Sequence, residues 1–182
     1  MKKIIIIVLS IILVVVIGGY AFRAFTKMAS PETSAQFDKN GLKIAISYSQ
    51  PSKKGREIFG NVGADDKVKK VVPYGKVWRT GANEATEIEL SKDVTVAGQA
   101  LKAGKYSLFT IPNQDKWTII FNSEIAMWGI NHNEKNDVLR VDAPPMVRDE
   151  VLEKFTISFV EAEGGADMLL EWDKTKVIVP IR

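Results

Sequence analysis

From Leu42 to Ile181, apolar residues recur at every second position in short stretches divided by glycine, proline and asparagine turns, with no long segment at helical spacing. Leu42, Ile44, Ile46 and Tyr48 alternate with Lys43, Ala45, Ser47 and Ser49, the pattern of a half-buried strand. Ile88 and Leu90 alternate with Glu87 and Glu89, and Val94 and Val96 fall in the next short strand. Residues 106–111 are apolar on both faces, which predicts a central strand. The stretch 117–121 returns beside it across the turn at Pro112 to Asp115. Segments 138–141, 155–160, 168–172 and 177–181 add four strands, the last three separated by Gly164-Gly165 and by Asp173-Lys174-Thr175. Only Met146 to Lys154 is predicted to hold a helical turn or two. Eight or nine such strands argue for an all-β fold, an antiparallel β-sandwich or open barrel.

The N-terminus obeys a different constraint. Lys2-Lys3 precede Ile4 to Phe22, a run apolar except for Ser10, Tyr20 and two glycines, which as a helix spans roughly 28 Å. An aliphatic helix without a polar face belongs in a membrane. A signal anchor is predicted over residues 1–25, with a cleaved signal peptide as the alternative, although residues 18–30 offer no clean small-x-small cleavage site. Either places the following domain outside the cytoplasm, in the cell envelope or secreted. Lys2 and Lys3 are nearly balanced by Arg23 and Lys27, so the charge flanks favour an inside N-terminus only weakly. Residues 26–40, polar and bearing Pro31, are predicted to be a linker into a β-domain of residues 41–182.

Charge and cysteine content narrow the function classes. The chain of 182 residues carries 25 basic residues, and four of them (Lys2, Lys3, Arg23, Lys27) flank the apolar run, leaving 21 against 22 acidic ones. A near-neutral domain gives no electrostatic reason for a nucleic-acid partner. The absence of cysteine excludes disulfides, thiolate catalysis, Cys-ligated zinc and a lipidated N-terminal cysteine. Oligomeric state is not legible.

Polar chemistry concentrates at Val72-Pro73-Tyr74-Gly75-Lys76-Val77-Trp78-Arg79-Thr80-Gly81-Ala82-Asn83-Glu84-Ala85-Thr86, where aromatic, guanidinium, amide and carboxylate groups crowd between glycines. With this stretch, Ser47 to Ser52, Gly55 to Gly60, Leu101 to Pro112 and Trp117 to Asn122, the chain resembles domain of unknown function family 2911, a family of secreted or membrane-anchored bacterial proteins. The resemblance covers most of 42–181 and implies an extracytoplasmic, mainly β domain. This chain carries Gln50 where the family's first motif suggests a basic residue.

Arg56, Arg79, Thr80, Asn83 and Glu84 are the candidate ligand-binding residues. A guanidinium fork suits a carboxylate, phosphate or sulfate, and a nearby amide and hydroxyl can orient a polar ligand. The bland alternative pairs Arg79 with Glu84 across the Gly81 turn, with Asn83 and Thr80 satisfying backbone groups. Three functions stay open: binding of a small anionic or polar ligand or an envelope partner, an envelope hydrolase using Glu84 with Arg79 and His132, or a structural domain without a ligand. For glycosidase chemistry Glu84 would need Glu87, Asp93 or Asp137 as its second carboxylate. His132, the single histidine, lacks a nucleophile-elbow companion. Residues 131–137 lack the glycine and spacing of an EF-hand, so neither a metal nor a cofactor is expected, and the loop at 60–70 reads as a solvated turn. Trp78, Trp117, Trp128 and Trp172 suit the core better than a sugar platform.

Overall fold

The computed structural model describes residues 2–62, 69–125 and 132–182. Asp65, Asp66 and Lys67 of the predicted solvated turn, with Trp128 and Asn131, lie outside them. Helix α1 runs over Lys2–Ala29. Its apolar side chains are exposed along their length, and it is long and apolar enough to cross a membrane. The strands are β1 (Glu32–Lys39), β2 (Leu42–Ser49), β3 (Phe59–Gly60), β4 (Val72–Pro73), β5 (Ala82–Leu90), β6 (Val94–Val96), β7 (Gln99–Leu101), β8 (Gly104–Ile111), β9 (Trp117–Asn122), β10 (Asp137–Ala143), β11 (Pro145–Ala162) and β12 (Gly165–Ile181).

Six of them form an antiparallel sheet in the order β1-β2-β5-β8-β9-β10, and four form a second in the order β11-β12-β6-β7. The short β3 and β4 pair in parallel. Because side chains alternate along a strand, each sheet turns one apolar row inward. Ile44, Ile46, Ile88, Leu108 and Phe121 of the larger sheet share one core with Phe155, Ile157, Met168, Leu170 and Val179 of the smaller. Burial of each such side chain contributes roughly 1.5–3 kcal/mol. The Tyr48 hydroxyl ties the sheets by accepting the Ile157 amide at 3.0 Å, and burial raises its pKa above the usual phenol value. The fold is thus the expected antiparallel β architecture, with the predicted 106–111 and 117–121 hairpin in place.

Three local expectations are corrected. The predicted linker over 26–40 is instead the last turn of α1 and the whole of β1, with Ser30 and Pro31 alone between them. Thr33, Ala35 and Phe37 point inward there, a pattern too weakly apolar to announce a strand. The Asn40-Gly41 turn, both residues at positive φ (52° and 72°), folds β1 along the full length of β2. Met146 to Lys154 holds no helix, because Met146 and Val147 pair with Lys176 and Thr175 in β11 and the register then slips as far as Leu152. Asp173-Lys174-Thr175 is not a turn but the irregular centre of the continuous β12, with Asp173 at φ 54° opposite that slip.

Candidate functional site

The central motif is a knot of hydrogen bonds between the larger sheet and the loop after β2. Trp78 exchanges backbone hydrogen bonds with Thr110 (2.7 and 2.9 Å), and its indole N–H donates to the Gly81 carbonyl at 2.9 Å. The chain then reverses at Thr80, whose φ of 52° is strained for a β-branched residue. Burial and three contacts hold it there. The Thr80 hydroxyl meets the Trp78 carbonyl at 3.4 Å and the Thr110 hydroxyl at 3.2 Å, while its carbonyl accepts the Thr86 hydroxyl at 2.7 Å. A Cβ at Gly81 would sit 3.0 Å from both the Ser49 carbonyl oxygen and Thr86 Oγ1, so the close approach of β2 to β5 requires glycine. Asn83, at φ 55°, makes a second left-handed kink within β5.

These reversals open a cleft of about 470 Å³ between the motif, the 51–56 loop and the end of α1. Arg56, Arg79 and Asn83 line it over a floor of Trp78 and Trp172, and Phe22, Thr26 and Ser30 close its far wall. Arg56 is held by the loop itself, since its guanidinium donates to the Lys53 carbonyl at 3.1 Å and the Ser52 carbonyl at 2.6 Å. That loop lies along β11 through Lys53 N–H to Glu153 O (2.7 Å) and Phe155 N–H to Pro51 O (2.9 Å). Arg79 is half-buried and donates to the Asn83 carbonyl, and desolvation lowers its pKa from the usual guanidinium value.

Glu84 lines the neighbouring groove across β1, β2 and β5 and not the cleft. Its carboxylate meets Arg23 at 3.2 Å and Lys27 at 3.7 Å, and accepts the Ser49 hydroxyl at 3.3 Å. The Asn83 amide donates to the Thr26 carbonyl in the last turn of α1 and to the Ser30 carbonyl just past it, at 3.2 and 3.3 Å. Lys27 also meets Glu32 at 2.8 Å. The motif therefore grips the end of the N-terminal helix. An open groove of about 720 Å³ crosses β1, β2 and β5 beside Glu84, but its carboxylates are already paired, Glu32 with Lys27 and Glu87 with Lys105.

Of the five sequence candidates, Arg56, Arg79 and Asn83 converge on one cleft. Thr80 lies buried beneath it, and Glu84 faces the neighbouring groove. The alternative pairing of Arg79 with Glu84 is replaced by the two cations of α1, which sequence reading had assigned to a membrane flank. His132 sits at the far edge of the sheet. Its Nε2 is 2.7 Å from Asp137 Oδ1, which also accepts from the Asn122 amide at 2.7 Å. Arg140 Nε lies 3.0 Å from Asp137 Oδ2 at an angle too poor for a hydrogen bond, so that contact is electrostatic. No group of three metal-ligating side chains occurs among the described residues. Trp117 and Trp172 are buried in the core and Trp78 packs against it, stacked on Trp172 at 6.0 Å. Sequence reasoning missed Phe22, Thr26 and Ser30 as part of the site, and the polar Thr26-Lys27 step after the apolar run was the available signal.

No curated protein and no solved structure matches the chain. A sequence profile of the family described as a protein of unknown function, DUF2911, matches residues 30–181, which include the whole motif and both sheets, and the chain belongs to that family.

Proposed function

We propose that this is a membrane-tethered, extracytoplasmic β-domain that binds a small anionic ligand in the Arg56–Arg79 cleft. The observation that carries the reading is the convergence of two guanidinium groups and the Asn83 backbone on one concave space with an aromatic floor. A guanidinium fork gives two parallel donors to a carboxylate or phosphate, and partial desolvation strengthens the attraction. An anion in the cleft also offsets the cost of keeping Arg79 half out of water. The hydrolase alternative draws less support, since Glu84 is neutralised by Arg23 and Lys27 and turns away from the cleft.

Thermal melting of the full chain in a non-ionic detergent tests this reading, with wild type and Arg79→Ala compared across anionic metabolites and cell-wall fragments. A ligand at about 100 times its Kd stabilises by about 2.7 kcal/mol, which for a domain of this size raises Tm by roughly 5–10 °C. Wild type shifts and Arg79→Ala does not. Equal shifts in both proteins, or none in wild type, refute the assignment.

A further inference from the structure

Where the cleft sits relative to the apolar part of α1 narrows its ligand. Phe22 ends the apolar run and also lines the cleft, and Thr26 and Ser30 follow one and two helical turns later. From Phe22 to Ser30 the chain rises roughly 12 Å at ~1.5 Å per residue. A bilayer has a hydrocarbon core of about 30 Å inside a total of about 40–45 Å, so each headgroup layer is roughly 5–7 Å deep. With residues 4–22 in hydrocarbon, the cleft opens into that layer and the space just above it.

We propose that the cleft holds the phosphate of an anionic membrane-lipid headgroup, with Arg56 and Arg79 on the phosphate and the lipid's glycerol end against Trp78, Pro51 and Val71. The proposal rests on the binding reading above and names its ligand class. Two features select a lipid over a free phosphoester, and a third leaves room for its phosphate. The wall nearest the bilayer is Phe22, a side chain at home in the interface, so the cleft is continuous with the place where headgroups lie. The remaining walls include Pro51, Val71, Trp78 and Trp172, apolar surface from which a small free anion gains nothing but which suits glycerol and the first methylenes. Among the described residues that line the cleft none is a carboxylate, and the nearby Glu84 and Glu32 are tied to Arg23 and Lys27.

The test uses the full chain in a non-ionic detergent, titrated with dihexanoyl phosphatidylglycerol, dihexanoyl phosphatidylcholine and inorganic phosphate. Binding is read by tryptophan emission, since Trp78 and Trp172 floor the cleft, and by melting temperature. Phosphatidylglycerol is expected to bind about tenfold or more tightly than either comparator, and Arg56→Ala and Arg79→Lys each weaken it by about tenfold, because a lysine cannot supply the two-pronged contact. Arg56 is exposed and its alanine variant loses only two hydrogen bonds within its own loop, so it folds even if changes at Arg79 perturb the domain, and each variant's melting shift is compared with its own unliganded melting temperature. Inorganic phosphate binding as well as phosphatidylglycerol overturns the lipid assignment and leaves the anion site standing. Phosphatidylcholine binding equally well, or lipid binding undisturbed in both variants, overturns it too. Failure of every anion to bind overturns both this inference and the reading beneath it.

Discussion

Thr80, Gly81 and Asn83 show how three of four consecutive positions can be specified by backbone shape. Thr80 and Asn83 both carry positive φ, and the buried Thr80–Thr110–Thr86 hydroxyls supply the bonds that hold the first of them in its strained well. Gly81→Ala should destabilise the domain by about 1–3 kcal/mol, because the new Cβ meets a backbone oxygen of β2 that cannot yield without moving the strand. Denaturant unfolding measures this, and a loss below about 0.5 kcal/mol contradicts the close packing described. The composition of the motif marked where polar groups gather, and Arg79 and Arg56 do line one cleft. The dihedral demand on Thr80 was not legible, since a hydroxyl that binds a ligand and one that braces a turn look identical in sequence. Glu84 was misread for a related reason: its partners, Arg23 and Lys27, lie about sixty residues away and belong to a helix expected to end at residue 25.

Element by element, strands with strong alternation were readable and those with small or charged inward residues were not. β2 and the β8–β9 hairpin announce themselves, while β1 hides behind Thr33 and Ala35, and the first half of β11 behind a bulge no local pattern encodes. The joint between α1 and the sheet is held by side chains of the central motif. Asn83→Gly, which keeps the left-handed backbone, combined with Glu84→Gln should release the last turn of α1, so that trypsin cleaves after Lys27 several-fold faster while global stability falls by about 1–2 kcal/mol. Unchanged cleavage would show that the joint is held by other means. On the opposite edge, Asp142 is depressed below the usual carboxylate value by the hydrogen bonds from Lys116 and then Thr118, which tie β10 to β9. Its contribution is therefore fully present above the unfolded-state value of about 3.9 and lost as the pH falls through the folded-state value. The gap in unfolding midpoint between wild type and Asp142→Asn should close on acidification below about pH 4 and stay constant from pH 5 to 8.

For the whole molecule, the exposed apolar surface of α1 predicts that the full-length protein sediments with membranes at its uncleaved mass and stays there in high salt or alkaline carbonate. A soluble product beginning near Ser30 would show that the helix is removed, and would also strip Phe22 and Thr26 from the cleft. Arg23 and Lys27, set aside in the near-neutral count of the domain, are spent locally on Glu84 and Glu32. The domain's all-β class follows from the alternation, whereas β1 and the cleft had to wait for the way the chain enters β1. Only Ser30 and Pro31 separate the helix from the first strand, and Asn83 and Glu84 lock that short passage from the other side. With α1 in a bilayer, a domain fastened in this way would have no leash and would stay at a fixed height above the lipid instead of sweeping the space over it.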